Sequence, residues 1–248
     1  MDDTAVLEVS GISKSFGGLV AVRDVSFKVF QEETLGIIGP NGAGKTTLFS
    51  IISGFIRPDA GEVFFGGKKL IGMRPDQICK LGLVRTFQLV QSYPDLTTIE
   101  NIMIGAFSKH SNSSIARQEA EQWLDFSGIS KKKWDMPARN LTLVDKKRLE
   151  LARSLATDAK IILADEAMSG LNPTEITEVI EFINKIKSRA ITIILIEHVM
   201  KVVMNLSDRI IMLQHGEKVI EGKPSDIVKN DIVVKAYLGE ENPFVSTD

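Results

Sequence analysis

Residues 34–47, TLGIIGPNGAGKTT, leave this chain little choice of local structure. TLGIIG is a short apolar run that reads as a buried strand, and from about Gly44 to Ser53 the pattern is helical. Between them GPNGAGKTT matches G-x-x-x-x-G-K-[ST], a loop whose geometry requires a strand before it and a helix after it. Gly39, Gly42 and Gly44 let the backbone curl so that successive N–H groups point inward around an anion, with Pro40, Asn41 and Ala43 completing the loop. The helix that begins there adds the positive end of its dipole. Lys45 can reach the β- and γ-phosphates of a nucleotide, Thr46 is placed to ligate Mg²⁺, and Thr47 can donate a further hydrogen bond to phosphate. The competing reading is a glycine-rich turn with a chance lysine; the flanking strand and helix argue against it.

A phosphate-bound Mg²⁺ wants a carboxylate from a neighbouring strand. IILADE (161–166) supplies one, as four residues of buried strand followed by Asp165 and Glu166. Asp165 can hold the metal's shell. Glu166, one residue on, can polarise a water aimed at the γ-phosphate as a general base. The competing reading is two acids that cap a strand; after a phosphate loop the catalytic reading is preferred.

Further short apolar runs alternate with helical stretches. Val20 to Phe30, EVFF (62–65), KIILA (160–164) and ITIILI (191–196) read as strands, and Pro173 to Lys187 as a helix with Pro in its first turn. RIIMLQHGEKVIEG (209–222) reads as a hairpin about Gly216. This alternation predicts an α/β fold with a largely parallel core sheet. From about Leu89 to Thr157 the periodicity is helical and no strand is expected. The boundaries that follow are a core of residues 1–88 and 158–248 and an inserted helical subdomain of residues 89–157. Within the insertion, SKHSNSS (108–114) reads as a flexible connection and Lys131 to Lys133 as a solvated turn. In NLTLVDKKRLELARSLA (140–156), Leu149, Leu151, Ala152 and Leu155 form the apolar side of a helix, with Lys146, Lys147 and Arg148 expected in solvent. Thr142 or Asp145 can cap it, yet LTLV is apolar where a turn would welcome glycine.

Composition removes several classes. A net charge of -2 over 248 residues gives no support to a general nucleic-acid binder, which needs a basic face. One cysteine, Cys79, excludes an intramolecular disulfide and suits a reducing cytoplasm. MDDTAVLEVS is acidic and lacks the apolar core of a secretory signal. The aliphatic run Ile193 to Ile196 is far short of the roughly 20 residues that span a bilayer, so work at a membrane requires a partner to hold the chain there.

The order of the remaining motifs narrows the choice. Gln88 closes LVRTFQ, LTLVD (141–145) precedes Asp165, SGLNP (169–173) follows the acids, and His198 follows the next strand. From about Leu7 to Glu240 this order resembles the nucleotide-binding subunit of ABC transporters. The resemblance implies a P-loop NTPase (RecA-like) core with a parallel sheet, an N-terminal antiparallel β subdomain, an inserted α-helical subdomain, and ATP with Mg²⁺ as cofactors. It implies that Phe16, in KSFGG, stacks on adenine. It implies likewise that Gln88 contacts the metal or the attacking water and moves with a transmembrane partner, and that His198 lies close to the γ-phosphate and orients the Glu166–water pair.

LTLVD aligns without a gap against the family's LSGGQ, which in a head-to-tail dimer donates hydroxyl and N–H groups to the ATP on the opposite P-loop. Thr142 preserves the hydroxyl. Leu143 and Val144 replace the two glycines that permit close approach. Asp145 replaces glutamine and turns a negative charge toward phosphate unless it caps the helix. Asn172 stands where many relatives carry aspartate. The expectation is an asymmetric heterodimer with a second ATPase subunit, a homodimer being the alternative.

VRTFQ, LTTIENIMIGAF (96–107), the GLNP turn, IEHVMKVV and the ending VVKAYLGE resemble the importer subunits for branched-chain amino acids and related amides. The partners implied are transmembrane permease subunits, docking near Tyr93 to Leu96, and indirectly a solute-binding protein; the location implied is the inner face of the cell membrane. The alternatives are an ATPase of lipopolysaccharide export, a soluble ABC ATPase of DNA repair or translation, and a regulatory subunit that no longer hydrolyses. IEHVMKVV, the short single-domain chain and Glu166 respectively argue against them.

Overall fold

Val25, Phe27 and Val29 alternate with exposed residues, the period-two pattern of a strand with one buried face, and the N-terminal part of the chain is a sheet. The computed structural model describes residues 5–87 and 92–237. Gln88 and the ending from residue 238 lie outside the described residues. The chain divides into two units, residues 1–73 with 194–248 and residues 74–193.

In the first unit, β1 (Ala5–Phe16) and β2 (Leu19–Phe30) form an antiparallel hairpin, with Leu7, Val9, Val25, Phe27 and Val29 turned into the core. Then come β3 (Thr34–Ile38), buried at all five positions, α1 (Lys45–Ile52), β4 (Ala60–Phe65) and the short β5 (Lys68–Lys69). The order β2-β1-β4-β5 is the antiparallel subdomain that the resemblance implied. The sequence pattern alone does not mark β1 as a strand. A register shift between Val9 and Ile12, around Gly11 at φ 60°, breaks its alternation.

The second unit carries α2 (Pro75–Lys80), β6 (Leu83–Arg85), α3 (Thr98–Ala106), α4 (Ser113–Ser127), α5 (Leu143–Ala156), β7 (Ile161–Asp165) and α6 (Pro173–Lys187). β6 and β7 pair in parallel, Arg85 opposite Leu163. The helices α3, α4 and α5 pack on one another, and among the described residues from 92 to 157 there is no strand, only a bridge between Thr97 and Pro137. Asn172 opens α6 as a cap, accepting from the N–H groups of Thr174 and Glu175 at 3.0 Å, with Pro173 in the first turn as expected.

At β8 (Thr192–Ile196) the chain returns to the first unit, which it completes with α7 (Met200–Leu206), β9 (Arg209–Gln214), β10 (Glu217–Gly222), α8 (Pro224–Ile227) and α9 (Asp231–Tyr237). β3 runs parallel to β9, and β10 folds back antiparallel on β9. His215 and Gly216 make that turn with φ of 51° and 82°, the left-handed pair a tight hairpin requires. Among the described residues no helix is long and apolar enough to cross a membrane.

One expectation about charge is corrected and another is qualified. Lys147 is not solvated: it is 3% exposed and its ammonium donates to the Glu166 carbonyl at 3.4 Å. The Lys131–Lys133 turn has no buried residue, as expected, but Lys133 is ion-paired with Asp145 at 2.5 Å. Both partners come from other elements, so local periodicity gives no sign of them. Arg148 is likewise engaged, with Glu178 at 2.8 Å.

Candidate nucleotide site

The phosphate loop lies in the first unit, and two contacts explain its glycines. A side-chain carbon at Gly39 would sit 2.2 Å from the Leu213 carbonyl oxygen, and one at Gly44 would sit 2.3 Å from that of Ala21. Both glycines also have positive φ, so no other residue fits either place. The hairpin turn of β9 and β10 supports the loop from outside. Gly216 N–H donates to the Ala43 carbonyl at 3.2 Å, and Arg23 N–H donates to the Gly216 carbonyl at 2.8 Å. Lys45 is buried, and its ammonium donates to the carbonyls of Gly39 at 2.6 Å and Pro40 at 3.0 Å. These bonds hold the charge inside the curl where a phosphate would compete for it. Thr46 is exposed and Thr47 half-buried at the start of α1.

Phe16 ends β1 and pairs with Leu19, two residues before the Ala21 that touches Gly44. Its ring is 47% exposed with the Lys14 ammonium 5.5 Å from its centroid, so a face is open to a planar ring. His198 is half-buried just after β8. The first unit therefore brings together the phosphate loop and the strand end that carries Phe16.

The second unit holds the acids. Asp165 ends β7 and is buried; its carboxylate accepts from Arg85 Nη2 at 2.7 Å. Glu166 follows at φ 50°, a left-handed backbone that costs a non-glycine residue roughly 1–2 kcal/mol. Two donors hold its carbonyl: Ser169 N–H at 3.1 Å and the Lys147 ammonium at 3.4 Å.

Each unit offers a hard oxygen donor of the kind Mg²⁺ takes. In the first it is the Thr46 hydroxyl, and in the second the Asp165 carboxylate. Among the described residues no group of three or more His, Cys, Asp or Glu exists that could hold an ion unaided. An ion held at either donor would draw most of its shell from phosphate oxygens and waters, as Mg²⁺ prefers.

The LTLVD segment is closed on itself. Thr142 is the N-cap of α5. Its hydroxyl accepts from Asp145 N–H at 3.3 Å and donates to Asp145 Oδ2 at 2.9 Å, while Lys133 pairs with the same oxygen. Asp145 is 4% exposed. It has turned to the helix end, where a carboxylate is favourable. Leu143 is exposed and rests against Gly170 of SGLNP, where an added side-chain carbon would meet it at 3.1 Å.

Sequence reasoning missed Arg85, Lys133, Lys147 and Glu150, whose carboxylate accepts from Phe87 N–H at 3.2 Å. All four are charged residues that only tertiary packing gives a partner. A cavity of about 710 Å³ also opens in the second unit, lined by Phe87, Tyr93, Ile104, Glu150 and Arg153 among others, with the Arg153 guanidinium 5.6 Å from the Tyr93 ring centroid.

Known proteins are similar to this chain over nearly its whole length. A family model described as ABC transporter matches residues 22–169. LivG of Escherichia coli, a high-affinity branched-chain amino acid transport ATP-binding protein, is 38% identical, with 95% of this chain and 98% of LivG covered. BraF of Pseudomonas aeruginosa, which bears the same description, is 36% identical with the same coverage. An ATP-binding cassette of an ABC transporter solved in its ADP conformation superposes with a TM-score of 0.85 at 30% identity, covering 96% of this chain and all of that one. The expected α/β P-loop fold therefore holds. A match of this length, over a chain whose glycines are fixed by a phosphate loop, makes it a member of the ABC transporter family, among its ATP-binding subunits.

Proposed function

We propose that this chain hydrolyses ATP to power an importer of branched-chain amino acids or related amides. The observation that carries the reading is similarity along almost the whole chain to ATP-binding proteins of that transport. In this reading Lys45, Thr47 and the N–H groups of residues 39–47 bind the phosphates and Phe16 stacks on adenine. Thr46, Asp165 and Gln88 would hold Mg²⁺, which supplies charge neutralisation on the phosphates when bound. Glu166 takes the proton of the attacking water, and His198 keeps that pair aligned. The rest of the barrier is lowered by positioning and by fixed charge.

The closed LTLVD segment gives the partnership a direction. Thr142 and Asp145 satisfy one another, so this chain offers little to a phosphate on an opposing subunit. Its own P-loop instead works against the intact signature of a second, different ATPase subunit, a homodimer being the competing arrangement. The cavity beside Tyr93 receives a cytoplasmic helix of the permease, which holds the chain peripherally on the inner face of the membrane. A solute-binding protein is then an indirect partner.

The test is ATP turnover of the chain alone and mixed with the second ATPase subunit, each with and without Glu166→Gln. Turnover that appears only in the mixture and disappears with the substitution supports the asymmetric transporter ATPase. Brisk turnover by the chain alone rules out the asymmetry.

A further inference from the structure

The carboxylate of Asp165 is 3% exposed, and a buried carboxylate is too costly to leave charged without a counter-ion. The counter-ion is Arg85, itself 6% exposed, at 2.7 Å from Asp165 Oδ2. Three consecutive residues fix this pair. Arg85 lies opposite Leu163 in the β6–β7 ladder, and Thr86 N–H donates to the Leu163 carbonyl at 2.9 Å. Thr86 Oγ1 accepts from Asp165 N–H at 3.4 Å. The Phe87 ring has the Arg85 guanidinium 5.0 Å from its centroid, and Phe87 N–H is tied to Glu150 of α5. A planar guanidinium clamped between a ring and a carboxylate fixes the orientation of that carboxylate as well as its charge.

We propose that Arg85 is a positioning residue for the metal carboxylate: it carries the Asp165 charge between nucleotide cycles and shares it with Mg²⁺ when nucleotide is bound. This rests on the reading of Asp165 as the metal-shell carboxylate. The ion pair is made at Oδ2, and in this proposal Oδ1 is the oxygen offered to a metal ion or its water. Arg85 thereby makes the metal-free chain stable without any cation, and it keeps Asp165 from capturing Mg²⁺ in the absence of ATP.

The test is the melting temperature of the full chain in EDTA and in millimolar Mg²⁺, without nucleotide, for the parent, Arg85→Met, Arg85→Lys, Asp165→Asn and the Arg85→Met/Asp165→Asn double variant. Arg85→Met is expected to melt roughly 5–15 °C lower in EDTA and to regain at least about half of that loss in Mg²⁺, which replaces the missing charge. The parent and Asp165→Asn are expected to be indifferent to Mg²⁺. Arg85→Lys recovers much of the loss, and the double variant, which leaves neither buried charge alone, melts above both Arg85→Met and Asp165→Asn in EDTA. If Arg85→Met does not fold, the double variant decides. An equal loss in EDTA and Mg²⁺ that persists in the double variant overturns the proposal and leaves Arg85 as packing on Phe87. Affinity of the parent for a fluorescent ATP analogue, with and without Mg²⁺, separates the underlying reading. No gain from Mg²⁺ there, with the double variant still recovering, overturns the metal role of Asp165 and the sharing of charge with it.

Discussion

Thr142 and Asp145 hold each other through two hydrogen bonds, hydroxyl to carboxylate at 2.9 Å and N–H to hydroxyl at 3.3 Å. This helix end is used up by the chain's own side chains. Lys133 completes the closure by neutralising Asp145. Leu143 and Val144 add side chains where the family signature has none, and Leu143 already touches Gly170.

Reopening this end should change the chemistry. Replacing Leu143, Val144 and Asp145 by Gly, Gly and Gln recreates the family signature around Thr142. The prediction is ATP turnover by the chain alone at least about tenfold above the parent, with each recovered phosphate interaction supplying on the order of 1.5–3 kcal/mol. The simpler Asp145→Ala removes only the closure and should cost about 1 kcal/mol of stability through the lost helix-end bonds. Urea unfolding and steady-state turnover separate the two effects. A signature-restored chain that stays at parental turnover sinks the assignment of LTLVD as the defect.

Glu166→Gln keeps the left-handed turn and its two carbonyl bonds but removes the proton acceptor. Turnover in the mixed system should fall by about 10²–10⁴ while ATP binding by equilibrium dialysis is unchanged. A loss of binding to match the loss of turnover would mean that Glu166 shapes the pocket and is not the base.

Lys147→Met tests the backbone beneath that residue. Without the ammonium, the Glu166 carbonyl loses one of its donors and the strained φ of 50° loses a restraint. The expected result is a drop in kcat of about tenfold with KM for ATP little changed, since misalignment by an ångström or so is enough to slow positioned chemistry. A raised KM with unchanged kcat would show instead that Lys147 supports binding.

What was legible in the sequence follows from range. TLGIIGPNGAGKTT encodes its own strand, turn and helix, and the glycines name the loop because no other residue fits beside Leu213 and Ala21. The β9–β10 hairpin announces itself through HG at its turn. β1 does not, because the shift near Gly11 scrambles its alternation. Charged residues were the weakest reading. Lys147 and Lys133 sit in polar stretches that look solvated, and their partners Glu166 and Asp145 lie 19 and 12 residues away. Arg85 finds Asp165 across 80 residues, so only the fold makes that pair visible.

Gly44→Ala probes the loop's support without touching a phosphate ligand's side chain. The added carbon would lie 2.3 Å from the Ala21 carbonyl oxygen, and the φ of 98° disfavours any side chain. The loop or β2 must move, at a cost of roughly 1–3 kcal/mol. The variant should fold with a lowered urea midpoint and bind a fluorescent ATP analogue at least about tenfold more weakly. Parental affinity would show that the loop tolerates the shift and that its glycines are not set by the contact with Ala21.

Acid lability should be traceable to one carboxylate of the helical region. Burial tends to raise Glu119, but hydrogen bonds from Lys109 at 2.5 Å, Trp123 at 3.2 Å and His110 at 2.8 Å outweigh it, and the group is held below the ordinary glutamate value of 4.5. A carboxyl lowered on folding contributes its stability above the unfolded value and loses it as pH falls through the folded one. The excess stability of the parent over Glu119→Gln should therefore be present above pH 4.5 and shrink as the pH falls below it. Urea midpoints measured on both sides of that value for both chains give the difference directly. A gap that stays constant down to pH 3 would mean that Glu119 stabilises the α3–α4 junction through its shape and hydrogen bonds, and that its charge contributes nothing.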